Sequence, residues 1–474
     1  MSTRRGLSFA GMTVGLLFVV VGLRALLIGA EPDTYWALRA GRDIWRTHAV
    51  PRVDTYSFTA AGLPWPDHEW LWQAAIYPLF RLGGWPLVTL GAAAIVVSAV
   101  ALTYRLTLGA TSTRFLLMLL AIPLASLVWA MRPQIVTLLG LALLVTWLAR
   151  ERFARLPILF LVWANAHGGV VLGGVVLVAA FVTAAIRARA TGGEDDRRRL
   201  KRLGGVLAAC ALATTLTPLG FGIFRFVAES EARLRAAHIN EWRATLPGLS
   251  IDGVFWLLAL AFVVLTARRW RTLRAGSWSD WVVFAAALAL LPLAFRSLRH
   301  IGPFLLLAPA AASRLLGPDF RLRRASTMSS PDNPTVNAAL LGIIGAGALA
   351  AVAVCWRAPL ETLHWRPLPE GALAAVRACP GPLYNHYNEG GYLVWLTPET
   401  KVFVDNRQDP FPIDFLVEHL RVESGKLPPE PLFARWGIRC SFLGVDSPTV
   451  AALEKDGWRA AYRDDKWIVQ VAPH

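Results

Sequence analysis

Apolar residues dominate ten stretches of the chain, near 8–30, 85–104, 115–130, 133–149, 157–186, 203–219, 252–267, 279–295, 301–316 and 336–355. A helix needs roughly 18–20 apolar residues to cross the hydrocarbon core, and several of these stretches reach that length. The pattern predicts an all-α polytopic membrane bundle. One stretch, 157–186, is interrupted by the sequence NAHGG at 165–169. Asn, His and paired Gly suit a tight reversal or a broken helix, which a membrane tolerates where the backbone is buried in protein or lines a wet cavity. Counting that stretch twice gives about eleven transmembrane helices.

Charge orients the bundle. Polar gaps at 1–7, 105–114, 150–155, 187–202, 268–274 and 314–324 carry 22 Lys and Arg, whereas the gaps at 31–84, 131–132, 220–251 and 296–300 carry 12 over a longer total length. Basic loops stay inside, so the first set is expected in the cytoplasm with the N-terminus, and the C-terminal region outside. A single crossing by 157–186 would put RARATGGEDDRRRLKR outside, against that rule. The stretch 8–30 follows Arg4 and Arg5 but exceeds the roughly 7–15 apolar residues of a secretory signal, so it reads as a retained first span.

Residues 1–355 are therefore expected to form the transmembrane domain, with a first extracytoplasmic loop at 31–84, and 317–335 a cytoplasmic linker. Residues 356–474 read differently. A strand-like KVFVDNR, helical FLVEHLRV and EPLFARWG, the strand IRCSFLGV, a helix at 448–457 and closing strands in RAAYRDDKWIVQV alternate. Such alternation predicts a small extracytoplasmic α/β domain.

Composition adds little to the class but narrows the chemistry. The 474 residues are 55% hydrophobic and 17% charged, and the net charge is +16. In a soluble protein that charge would suggest nucleic acid; here most Arg lies between apolar stretches and marks topology, so no nucleic-acid partner is expected. Cys379 and Cys440 fall in the region expected to be oxidising, where a disulfide between them and two buried free thiols are both open readings. No P-loop, nucleophile elbow or CxxC pattern is present, which argues against ATP-driven transport, an α/β-hydrolase and redox exchange.

The polar residues that membrane spanning does not explain gather on the expected outer side. The first loop, in EPDTYWALRAGRDIW and WPDHEWLW, carries Asp33, Asp67, His68 and Glu69; outer turns carry Arg132 in MRPQ, His167 in NAHGG, Glu241 in HINEWR, and Arg296 and Arg299 in FRSLRH. Ionisable groups at membrane depth are costly and usually mark a site or pathway. Arginines clamp a phosphate bidentately, and a carboxylate takes a proton from an acceptor hydroxyl or binds a divalent ion.

The stretch EPDTYWALRAGRDIW…VPRVDTYSFTAAGLPWPDHEWL, followed in order by RPQ, WANAHGG, TPLG, INEW, RH and YNHYNEGGYLVW…VFVDNR, resembles bacterial membrane proteins related to the GT-C glycosyltransferases. The resemblance covers nearly the whole chain. It implies a GT-C-like fold in the bacterial inner membrane, a polyprenyl-phosphate sugar donor as partner beside membrane lipids, an inverting transfer on the outer side, and an acidic first-loop residue, here Asp33, as base or metal ligand. The chain departs from the pattern at Ala37, where His is usual, and at Glu389 and Asn406, in NEGGY and DNR rather than DWGGY and DGR.

These readings set expectations residue by residue. Asp33 is the catalytic candidate, or the N-cap of the helix that follows it. Asp67, His68, Glu69, His167 and Glu241 are second acidic or cavity candidates, with Asp67 and Glu69 alternatively capping a helix. Arg132, Arg296, Arg299 and Arg24 are lipid-phosphate candidates, or snorkelling residues at span ends. Tyr392, Asp405 and Arg407 are acceptor-binding candidates, or parts of a turn-rich scaffold. Asp33 and Glu69 are the residues a Mg²⁺ or Mn²⁺ would use. The expected function is a membrane glycosyltransferase. Its rivals are a transporter or flippase of lipid-linked or anionic solutes, and a non-catalytic membrane protein that binds glycan.

Overall fold

The computed structural model describes residues 6–236, 240–248, 250–317 and 332–473, and among them the side chains of 230–240 and 251 are left aside. In chain order the elements are α1 (Phe9–Leu26), α2 (Pro32–Thr47), α3 (Trp70–Leu106), α4 (Thr111–Ala125), α5 (Gln134–Ala149), α6 (Leu156–Ala166), α7 (Val170–Thr191), α8 (Glu194–Thr214), α9 (Gly222–Ala236), α10 (Ile251–Arg274), α11 (Trp278–Arg296), α12 (Ile301–Leu316), α13 (Pro334–Arg357), α14 (Glu370–Arg377), β1 (Leu383–Asn385), α15 (Tyr387–Leu396), α16 (Ile413–Glu423), α17 (Glu430–Trp436), β2 (Cys440–Gly444), α18 (Pro448–Lys455), β3 (Arg459–Arg463) and β4 (Trp467–Val471). Every apolar stretch of the sequence contains a helix. Seven helical segments of the described residues are long and apolar enough to cross a membrane, among them α1, α7, α11 and α13. Two shorter apolar segments, Gln134–Ala149 and Phe153–Ala166, accompany them. The chain is a multi-pass membrane protein.

The first of two compact units comprises Met1–Ile28 and Pro86–Ala358. Its core is a continuous apolar cluster drawn from α4 to α8 and α10 to α12, with Trp163, Phe255, Phe284 and Phe304 fully buried. The long stretch 157–186 is two helices. α6 ends at Ala166, where His167 turns extended, and α7 starts at Val170. Trp163 is accommodated because Gly140 and Gly173 lie against its ring, where a Cβ would come within 2.7 Å. The basic segment 187–202 is mostly helical. α7 and α8 meet at Gly192–Gly193, with Gly192 in the left-handed region at φ 64, and Asp196 pairs with Arg199 at 2.5 Å. Of the expected linker 317–335, residues 318–331 lie outside the described residues.

The second unit comprises Gly29–Trp85 and Pro359–His474. The first polar loop thus belongs to the same compact body as the C-terminal α/β domain, where the sequence suggested that it belongs with the spans. Its last third is helical, because α3 starts at Trp70 and is broken only at Gly83 and Gly84, the latter at φ 59. A four-stranded sheet has the order β1-β2-β4-β3, with β1 parallel to β2 and the other pairs antiparallel. Cys379 and Cys440 form a disulfide that ties the end of α14 to the central strand β2.

KVFVDNR, expected as a strand, makes only an isolated bridge between Val402 and Ser57. Its backbone groups are taken up otherwise. Val402 N–H donates to Tyr56 O at 3.1 Å, Phe403 N–H to Asn385 Oδ1 at 2.9 Å, and Asn385 Nδ2 donates to Val404 O at 2.7 Å. A buried asparagine and the first loop satisfy what a neighbouring strand would otherwise satisfy. The glycines of NEGGY serve close packing: a Cβ on Gly391 would lie 2.5 Å from Asn406 Oδ1 and 2.7 Å from Pro32 O, and one on Gly390 would overlap Val404 O. α15 can therefore lie against both α2 and the 404–406 segment.

Candidate functional site

In the first unit, Arg132, His167, Glu241 and Arg299 form one polar network. Arg132 sits just before α5, Glu241 on a single 3₁₀ turn at Asn240–Trp242, and Arg299 on another at Leu298–His300. The turns are stitched together: Ser297 Oγ donates to Glu241 O at 3.1 Å and Leu298 N–H to Arg243 O at 3.1 Å. Arg132 Nη1 lies 2.7 Å from Glu241 Oε1, and Arg299 Nη1 lies 3.9 Å from Glu241 Oε2. Burial pushes the Glu241 carboxyl up, but Arg132 and Arg299 outweigh it and hold the group below the usual carboxylate range.

His167 joins the same network from the helix break. Arg299 Nη2 lies 3.1 Å from His167 Nε2. His167 Nδ1 lies 2.7 Å from Thr137 Oγ1 and accepts from Gly169 N–H at 3.1 Å, while Thr137 Oγ1 accepts from Trp163 Nε1 at 3.1 Å. Gly169 makes the break compact, since a Cβ there would meet Thr137 Oγ1 at 2.2 Å. The Arg299 guanidinium lies over the Trp242 ring, 5.3 Å from its centroid. Arg296 ends α11, one turn before Arg299. Of HINEWR, His238 and Ile239 lie outside the described residues.

In the second unit, Asp33 is not the N-cap of α2. Glu31 holds that position, with its N–H donating to Thr34 Oγ1 at 3.1 Å, and Pro32 opens the helix. Asp33 stands in the first turn, where its charge favours the helix dipole. Its Oδ1 accepts from Trp36 Nε1 at 3.1 Å and from Asn406 Nδ2. Asn406 comes from the C-terminal part of the chain, and the sequence marked it only as a departure from the family pattern.

Asp67, His68 and Glu69 lie in the turn that leads into α3. Asp67 is buried, and its Oδ1 accepts from Gln73 Nε2 at 2.6 Å. Burial drives its carboxyl up to about 7, against the pull of His68. His68 is held between carboxylates, with Nε2 3.4 Å from Glu69 Oε1 and Nδ1 3.7 Å from Asp409 Oδ2. Burial disfavours its charge, yet Glu69 and Asp409 prevail and raise it to about 9.

Two expectations are corrected. Arg407 is fully buried between Asp405 and Asp54: Nε donates to Asp405 Oδ1 at 2.8 Å, and Nη2 to Asp405 Oδ2 at 2.6 Å and Asp54 Oδ1 at 2.5 Å. Its guanidinium also packs on Tyr56 and Trp65, 4.8 and 4.6 Å from the ring centroids. Asp405 and Arg407 thus brace the first loop against the C-terminal part of the unit and present no surface to an acceptor. Tyr392 is likewise buried, edge-on to Tyr35 at 5.0 Å. Arg24 in α1 donates through Nη2 to Ser126 O at 2.9 Å, a helix-to-turn tie in the first unit.

Sequence reasoning missed Asn406, Thr137 and Asp54. Asn406 and Asp54 act across hundreds of residues and carry no local signal; Thr137 follows RPQ at helical spacing and is ordinary in an apolar helix. For a divalent ion, no group of three or more His, Cys, Asp and Glu side chains among the described residues is placed to hold one. Asp33 and Glu69 belong to no such set.

No protein-family model matches the sequence, and neither does any curated protein. Among solved structures the chain is similar to the crystal structure of ArnT from Cupriavidus metallidurans in the apo state, with a TM-score of 0.52 and 15% identity over 97% of this chain and 99% of that one. At that identity the likeness concerns the fold alone, which the two chains share over nearly their whole length.

Proposed function

We propose that the protein is a membrane glycosyltransferase that moves a sugar from a polyprenyl-phosphate donor to an extracytoplasmic acceptor. One observation carries the reading: Arg132 and Arg299, held by the 3₁₀ turns and the His167 break, converge on a single anionic side chain. Two guanidiniums braced in this way suit the phosphate of a lipid carrier, with Arg296 as a third contact. Asp33 acts as the base. It takes the proton of the acceptor hydroxyl as that oxygen bonds to the anomeric carbon, and the bond from that carbon to the phosphate oxygen breaks with inversion. The electron pair leaves on the polyprenyl phosphate, whose charge the arginines stabilise. Trp36 and Asn406 fix one oxygen of Asp33, so the carboxylate is oriented before the acceptor arrives. His167 braces the arginine pair in the first unit, and Asp67, His68 and Glu69 form a separate polar group in the second. The disulfide in the second unit supports an oxidising location for that unit, and the basic loops support a bacterial inner-membrane protein with its N-terminus in the cytoplasm.

The test is Asp33→Asn in the full-length protein. Transfer is expected to fall at least about 10²-fold, the usual scale for losing a general base, with an unchanged melting temperature. Undiminished transfer by the Asn variant would remove Asp33 from the mechanism.

A further inference from the structure

Glu241 is an unusual member of its network. Arg132 and Arg299 are mostly buried, with 19% and 26% of their side-chain surface exposed, whereas Glu241 between them is 42% exposed. It reaches the pair from a turn of only three residues. Carboxylate and phosphate present the same kind of edge to a guanidinium, two acceptor oxygens with shared negative charge. Two arginines facing one site repel each other unless an anion lies between them. Between Arg132 and Arg299, that anion is Glu241.

We propose that Glu241 is a stand-in for the carrier phosphate: it neutralises Arg132 and Arg299 while the site is empty and is displaced when a prenyl phosphate binds. This rests on the reading that these arginines hold the donor phosphate. The turn around Glu241 has separate anchors that stay in place when the side chain swings out. Ser297 holds the Glu241 carbonyl, Leu298 holds the Arg243 carbonyl, and Arg243 is paired with Asp252 at 2.5 Å. Displacement then costs the two side-chain ion pairs of Glu241 and no backbone bond. The ligand class that competes is a phosphate monoester or diester on a prenyl chain, because a weaker or bulkier anion does not replace an internal carboxylate already at 2.7 Å.

The experiment measures binding of geranylgeranyl phosphate to the detergent-solubilised full chain, for the wild type, Glu241→Gln, Glu241→Asp and the double variant Arg132→Met with Arg299→Met. Removing a competing internal anion is expected to tighten binding about tenfold in the Gln variant, which corresponds to about 1.4 kcal/mol. The Asp variant, whose shorter side chain falls short of Arg132, is expected in between. The double arginine variant is expected to lose binding at least tenfold. Equal or weaker binding by Gln and Asp variants that melt like the wild type overturns the stand-in role and leaves the phosphate site intact. Wild-type binding by the double arginine variant overturns the phosphate reading itself. Inorganic phosphate serves as the second ligand: tightening of prenyl phosphate and inorganic phosphate alike supports recognition of the head group, whereas no tightening of either contradicts it.

Discussion

At the scale of single residues, Asp33 is a carboxylate relieved of a structural task. Glu31 and Thr34 close the start of α2, so Asp33 is held from the side by Trp36 and by Asn406. The sequence made Asp33 a candidate through its position before an amphipathic helix, and the same position suggested a cap. The cap reading falls because Glu31 holds the N-cap position, and the contact with Asn406, 373 residues away, is one that no local pattern announces. Asp67 gives a prediction that depends on pH. Its folded value near 7 lies above the ordinary 3.8, so the folded chain keeps a proton that the unfolded chain releases, and stability falls as pH rises from about 4 to about 7. Asp67→Asn keeps the acceptor for Gln73 and removes that penalty. Its melting temperature is expected to exceed the wild type's at pH 8, by an equivalent of about 1–4 kcal/mol, and to match it near pH 4. His68 acts in the opposite sense: raised to about 9, it contributes stability that is fully present below 6.5 and lost as pH rises through 9. Arg407→Met tests the buried ion triad. It would leave Asp54 and Asp405 facing each other without their cation, at a cost of about 3–5 kcal/mol in thermal melts of the solubilised protein.

At the scale of elements, the spans were readable because a membrane enforces length and apolarity, and the NAHGG interruption stands out against an apolar background. The C-terminal elements were readable where they alternate in a regular way, as in α17, β2 and α18. KVFVDNR misled because its apolar alternation is that of a strand, while Asn385 and the Tyr56–Phe58 backbone provide its hydrogen bonds. A helix after Pro66 was expected as the one Asp67 and Glu69 would cap, and α3 starts there at Trp70, but its continuation to Leu106 across Gly83 and Gly84 was not. The disulfide between α14 and β2 closes a loop with a sequence separation of 61. A crosslink over such a loop is worth about 4 kcal/mol by chain entropy. A Cys379→Ala, Cys440→Ala double variant is therefore expected to melt earlier than the wild type, and dithiothreitol to lower the wild-type melting temperature to that of the variant. Equal melting temperatures of the wild type and the double variant would show that the bond contributes nothing to stability.

At the scale of the whole molecule, two compact units are interleaved along one chain, with 29–85 and 359–474 forming one and the rest the other. Charge parity and span counting sorted the chain into membrane and polar parts, but they assign a loop to its neighbours in sequence. The aromatic and ionic partners of the first loop, Tyr392, Asp405 and Arg407, lie in the last quarter of the chain, so the grouping follows from packing alone. The arginine pair with its internal carboxylate lies in one unit and the Asp33–Asn406 contact in the other. The central claim is that the protein breaks the bond between sugar and lipid carrier. The most direct measurement reconstitutes wild type and Asp33→Asn in liposomes with a lipid extract containing polyprenyl-phosphate sugars, and follows free polyprenyl phosphate by mass spectrometry. The account predicts that the wild type alone releases polyprenyl phosphate, in step with the glycosylated acceptor; a lipid-linked sugar that crosses the bilayer intact, equally with both proteins, would contradict it.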